Sequence, residues 1–214
     1  MSRQNRTPRA PGRPAADATV QREQLLDIAT DLFSHQGIQA TSLRAIAERA
    51  GVTPALLNYY FGGKERLVEA MVEERFLPLV TGAAASLQQA GDDPLELVEA
   101  FIREMSRNVA AHPWISQLWV REILCEGGVL RERLMDRVAP MVPLLLAQKF
   151  AAAQARGALN PELDPRLLVV SLIGLTLLPY AAAPIWRGIF ANAQIGDEAL
   201  ITHTLALLKG GMEP

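Results

Sequence analysis

A chain of 214 residues, half of them apolar and 21% charged, is long enough to bury a substantial core and too apolar to remain disordered. Its net charge of −2 excludes a uniformly basic protein, and its single cysteine, Cys125, excludes an intramolecular disulfide. No apolar run of the secretory-signal kind opens the sequence, so a globular cytoplasmic protein is expected.

The average charge conceals an asymmetry. Residues 1–16 hold Arg3, Arg6, Arg9 and Arg13 without an acid, so the remainder is about six charges negative. Residues 1–17 read as a disordered basic arm rich in proline and alanine, either an inert tail or a segment that orders against a polyanion. Helix one should begin near Thr19, with Leu25, Ile28, Ala29, Leu32 and Phe33 as its apolar stripe and Gly37 as its stop. His35 in its last turn suits the negative end of the helix dipole.

From Thr41 to Lys64 the spacing predicts two short helices and a tight turn. Leu43, Ile46, Ala47 and Ala50 share one face of the first, capped by Thr41 or Ser42 and ended by Gly51. Thr53 and Pro54 then supply an N-cap and a first-turn proline for a second helix. Leu57, Tyr60 and Phe61 must hold it inward, leaving Thr53, Ala55, Asn58 and Tyr59 outward. Such a pair places its second helix in the DNA major groove when its exposed side chains are small or hydrogen-bonding, and Asn can pair with an adenine edge.

The runs Ala47-Glu48-Arg49-Ala50-Gly51-Val52-Thr53 and Leu57-Asn58-Tyr59-Tyr60-Phe61-Gly62-Gly63-Lys64-Glu65 resemble the DNA-binding signature of the TetR family of transcriptional repressors, over roughly residues 20–66. The resemblance implies an all-α fold: an N-terminal three-helix helix-turn-helix domain at 18–64, then a larger helical ligand-binding and dimerisation domain at 65–214. It implies DNA contacts by Thr41, Ser42 and Arg44, and by Thr53, Pro54, Ala55, Asn58, Tyr59 and Lys64. Asn58 stands where the family more often has Tyr, and Tyr59 where it often has His. The resemblance also implies a homodimer on a double-stranded palindromic operator, released when a small-molecule effector binds. The alternative is a helical ligand-binding protein or enzyme with a degenerate helix-turn-helix.

Downstream, residues 64–76 continue as helix four. Asp93, Pro94 and Glu96 give a capping-box start to a fifth helix that runs to His112. Trp114 to Glu126 forms a sixth, broken by Gly127-Gly128. A seventh carries Leu134, Val138, Met141, Val142 and Leu145, kinked by Pro140 and Pro143. Leu167 to Trp186 contains no charge over about twenty positions, which is long enough for a bilayer. Pro179, Pro184, Ser171 and Thr176 favour instead a helix buried both by its own core and by a second subunit. With a last helix at Asp197 to Lys209 it would form the dimer interface, so no membrane is expected.

No catalytic set can be assembled, and no metal or cofactor is expected. His35, His112 and His203 lie in separate elements, and Gly62-Gly63-Lys64 lacks the first glycine of a phosphate loop. Cys125 reads as a buried small residue. Phe101, Met105, Trp114, Leu118, Trp119, Tyr180 and Trp186 are candidate lining for an apolar effector pocket, or simply core.

Overall fold

The computed structural model describes residues 15–137, 140–190 and 195–214, the side chains from residue 18 onward. The arginines of the N-terminal arm and Val138 therefore lie outside the described residues. No strand occurs among the described residues; the elements are α1 (Ala15–Gln36), α2 (Leu43–Arg49), α3 (Pro54–Phe61), α4 (Lys64–Met71), a π-helical turn π1 (Val72–Phe76) and α5 (Leu77–Gln89). There follow α6 (Pro94–Ala111), α7 (Trp114–Leu118), a second π-helical turn π2 (Trp119–Leu124), α8 (Leu130–Met135), α9 (Met141–Ala155), α10 (Pro165–Ala181), α11 (Ala183–Ile189) and α12 (Asp197–Met212).

Of the stripe expected on α1, Leu25, Ala29, Leu32 and Phe33 are buried and Ile28 is only partly so, while Leu26, outside that stripe, is fully buried; together they meet Ile46 and Ala47 of α2 and Leu57 and Phe61 of α3 in one apolar cluster. That cluster runs on through Leu67, Met71 and Phe76 to Leu118, Leu130 and Leu134, so the three-helix unit rests on an apolar bed shared with α4, π1, α7 and α8. A second cluster joins α5, α6, α9, α10 and α12 around Leu97, Ile102, Leu146, Phe150 and Leu172. Asp93 caps α6 as its spacing predicts, accepting from the N–H groups of Leu95 and Glu96 at 2.9 and 3.0 Å.

Helix four does not stop at Phe76. It passes through π1 into α5, because π1 absorbs Pro78, which has no N–H to offer the Glu74 carbonyl. The Leu77 N–H reaches back five residues to the Val72 carbonyl, while the Arg75 guanidinium donates to the Glu74 carbonyl at 3.1 Å. The predicted seventh helix is two helices, since Pro140 caps α9 and Pro143 sits in its first turn, positions where proline starts a helix. The predicted sixth helix is α7 followed by π2, which ends at Leu124; Cys125 is extended and exposed, not buried.

π2 directs Glu122 inward. Only 4% exposed, its carboxylate accepts from the Ile38 N–H in the α1–α2 turn and from the Val129 N–H, each at 2.9 Å. Gly128 passes so close that an added Cβ would lie 2.3 Å from the Glu122 carbonyl oxygen. Arg131 donates to the carbonyls of Ile123, Leu124 and Cys125, closing the end of π2.

α10 buries Leu168, Val169, Leu172, Thr176 and Leu177 against its own chain and leaves Leu167, Val170 and Leu178 more than half exposed. α10 and α11 are bent by 67° at their junction; among the described residues no single helix is long and apolar enough to cross a membrane, and only this bent pair passes by length and composition.

Glu122→Ala removes the acceptor from two N–H groups at once, at about 1–3 kcal/mol for each buried donor left unpaired. The melting temperature should fall by about 10 °C, and less in Glu122→Gln, which keeps one acceptor oxygen. Thermal melts of both variants test this, and equal melting points for Glu122→Ala and the parent chain would contradict it.

Candidate nucleic-acid interface

The α2–α3 unit is built by its caps. The Ser42 hydroxyl accepts from the Ala45 N–H at 3.1 Å to start α2. Gly51, at φ +66°, turns the chain while the Val52 N–H bonds the Ala47 carbonyl at 2.9 Å. Thr53 occupies the N-cap of α3 with extended backbone and no side-chain cap bond, which leaves its hydroxyl outward. α3 ends at Gly62, φ +72°.

Leu57 and Phe61 anchor α3 beneath, the Arg22 guanidinium lies 4.9 Å over the Phe61 ring, and the Tyr60 hydroxyl donates to Gln21 at 3.2 Å. The opposite surface carries Ser42 and Arg44 from α2 and Thr53, Pro54, Ala55, Asn58 and Tyr59 from α3, all exposed, Tyr59 at 81%. Tyr59 meets Tyr60 edge to face, ring centroids 5.3 Å apart, which orients a ring otherwise in solvent.

Lys64 is half-buried at the rim and donates to the Gln39 carbonyl at 2.9 Å. An ammonium has three N–H bonds, so this one positions the charge and leaves two for a phosphate. Thr41 differs from the other candidates: it is fully buried and its hydroxyl donates to the Gly37 carbonyl at 2.7 Å, turned away from the exposed face.

Arg44 and Arg49 make no ion pair or hydrogen bond among the described residues, whereas Arg22, Arg75, Arg133 and Arg137 are all engaged with carboxylates. Arg49, exposed in the last turn of α2, was not singled out from the sequence; its being unpaired is visible only in three dimensions. The surface thus offers free guanidinium groups, hydroxyls, an amide and an aromatic ring, a set suited to phosphate and base edges.

The effector candidates are only partly brought together. Met105, Trp114, Trp119 and Tyr180 pack around Val109, Ile115 and Leu177 in a small cluster between α6, α7 and α10. Phe101 belongs to the second core and Leu118 to the first, and Trp186 turns back to donate to the Pro179 carbonyl at 2.7 Å. Within the small cluster the Tyr180 hydroxyl is buried without a hydrogen-bond partner among the described residues, and burial raises its pKa despite Ser106 nearby. Among the described residues no group of three or more His, Cys, Asp or Glu is placed to hold a metal ion.

Residues 25–71 match the sequence model for bacterial regulatory proteins of the tetR family. Over 201 residues, covering 91% of this chain and 89% of the relative, the sequence is 28% identical to the HTH-type transcriptional regulator RutR of Escherichia coli K12. It is 36% identical to the HTH-type transcriptional regulator BetI of Rhizobium meliloti over 101 residues, about half of each chain. The fold is similar to that of the ketosteroid transcriptional regulator KstR2 of Mycobacterium tuberculosis, with a TM-score of 0.73 and 20% identity over 91% of this chain and 95% of that one. These relatives are named as transcriptional regulators, and residues 25–71 are a DNA-binding domain of the tetR family of bacterial regulatory proteins.

Proposed function

We propose that the chain is a repressor that binds an approximately palindromic operator as a homodimer and releases it when an apolar or amphipathic small molecule binds the larger helical part. The observation that carries this reading is the exposed face of α2 and α3, where Ser42, Arg44, Asn58 and Tyr59 stand clear with Lys64 at the rim. In this reading residues 18–64 form the reading unit, residues 65–214 hold effector and partner, and the basic arm at 1–17 adds sequence-independent affinity. The site of action is the cytoplasm, where operator DNA is found.

The dimer is assigned to α10 and α12. Leu167, Val170 and Leu178 on α10 and Leu207 on α12 are exposed apolar side chains on elements that also supply the core, which is the pattern of a face awaiting a second copy. Two-fold symmetry would then set two reading units on successive half-sites. The effector reading draws on the Met105, Trp114, Trp119 and Tyr180 cluster, and on KstR2, whose name couples it to ketosteroids.

Operator binding should weaken with salt at a log–log slope of about −0.9 per neutralised phosphate, and fragments captured from genomic DNA supply the operator for the measurement. A flat salt dependence would refute DNA binding. Lys64→Ala should weaken all sequences alike and make the salt slope shallower by about 1. Asn58→Ala should cost about 1–3 kcal/mol at the true site and relax its base preference; unchanged selectivity would show that Asn58 reads no base edge.

The interface is tested at Val170, which is 63% exposed, rather than at Leu172, which lies wholly in the chain's own core. Val170→Arg should leave the fold intact and shift sedimentation from dimer to monomer, because an unpaired charge would be buried at the seam. A dimer that survives this change, together with Leu207→Arg, places the interface elsewhere.

A further inference from the structure

Between α1, α7, π2 and α10 lies a cleft of about 300 Å³ lined by Ser34, His35, Gln117, Val120, Arg121 and Ala181. It stands apart from the aromatic cluster, with which it shares no lining residue, and from the exposed face of α2 and α3. Its volume is at the lower end of that found for small-molecule sites.

Arg121 sets its chemistry. The other arginines of the larger helical part that the structure describes, Arg66 apart, are engaged: Arg75, Arg103, Arg107, Arg133, Arg137 and Arg166 with carboxylates, Arg131 and Arg156 with carbonyls, Arg187 with the Trp186 ring; Arg66 lies at the Gly62 turn and lines no part of the cleft. Arg121 has no ion pair, hydrogen bond or ring contact among the described residues. Its stem is instead held over Gly37, where an added Cβ would lie 3.2 Å from Arg121 Cδ, so glycine at that position leaves the room for Arg121 to lie.

Of the two neighbouring acids, Glu122 is committed elsewhere and Asp31 is set against the cleft's own histidine. Glu122 accepts from Ile38 and Val129, and Asp31 stands 3.5 Å from His35 Nδ1 on the α1 side. The carbonyl end of α1 would repel an anion, but the Phe33 carbonyl is taken by the Gly37 N–H, and the Asp31 carbonyl by the Ser34 hydroxyl and the His35 ring. Gln117, one helical turn before Arg121, lines the same cleft, with Val120 and Ala181 as its apolar part.

We infer that this cleft is a second ligand site, for a small organic carboxylate, with the carboxylate on Arg121 and Gln117 and the apolar part against Val120 and Ala181. A guanidinium with free N–H groups takes a carboxylate bidentately, and a partly enclosed cleft screens that pair less than open solvent does. Because α1 belongs to the three-helix unit and α7, π2 and α10 to the larger part, an occupant touches both sides of their junction.

The test is calorimetric titration of the full chain, without DNA, with benzoate and with its neutral isostere benzamide at constant ionic strength. The expected result is saturable benzoate binding with benzamide at least tenfold weaker, and a loss of at least tenfold in benzoate affinity in Arg121→Gln. Equal binding of the two probes, no saturable binding of benzoate, or wild-type affinity in Arg121→Gln overturns the proposal. Should Arg121→Gln fail to fold, Ala181→Leu decides: it fills the cleft from α10 and leaves Arg121 in place, so weakened benzoate binding supports the site and unchanged binding overturns it. Since no operator enters the measurement, its outcome is independent of whether the repressor reading holds.

Discussion

One carboxylate ties the three-helix unit to the rest of the chain. The buried Glu122 accepts from a backbone N–H of the α1–α2 turn and from another just before α8, 84 and 7 residues away. A buried charge is tolerable only when it is hydrogen-bonded, and here both oxygens are used on donors that would otherwise be unpaired. Much of the surrounding geometry follows from it. The π-helical turn aims the side chain, Arg131 closes the end of that turn, Gly128 lets the backbone pass against Glu122, and Gly37 leaves its N-terminal neighbour Arg121 in place.

A second set of ties is ionic and lies nearer to solvent. Arg22 grips Glu74 with two bonds of 2.6 and 2.7 Å, which holds the Glu74 carboxyl below its usual range, and Arg75 reaches Glu23 and Asp27 at 2.6 and 2.8 Å. Across the other flank Arg133 and Arg137 of the α8 region meet Glu65, Glu69 and Glu73 of the α4 rod. Each half-exposed pair contributes little alone, but the set brackets π1, where the rod departs from α-helical geometry because of Pro78. The apolar bed beneath supplies the adhesion and the ions fix the angle. A ligand that favours one seating of this junction over another would change the setting of α2 and α3 by its differential affinity for the two.

The exposed face of α2 and α3 shows how small helices are made rigid enough to read another molecule. α3 has 8 residues, too few to persist alone, and is fixed by Leu57 and Phe61 below, by Arg22 over the Phe61 ring and by the Tyr60 hydroxyl on Gln21. The Asn58 and Tyr59 side chains are exposed and make no hydrogen bond or ion pair among the described residues, which frees them to differ from the usual family pattern at little cost to the fold.

What the sequence by itself determined is local. The stripe on α1, the glycine at the α2–α3 turn, the proline and threonine at the start of α3 and the Asp93 cap are nearest-neighbour physics, and the exposed face of α3 followed from the same periodicity. Thr41, named as a DNA contact by resemblance alone, is buried, because its hydroxyl bonds the Gly37 carbonyl, which only the packed turn shows. Pro140 and Pro143 read as kinks within one helix until a helix start was found to accommodate them. Tertiary structure alone decided that Glu122 is buried, that Leu172 and Leu167 face opposite ways, and that Arg121 has no polar partner among the described residues, because each depends on which distant backbone groups and carboxylates the fold brings close.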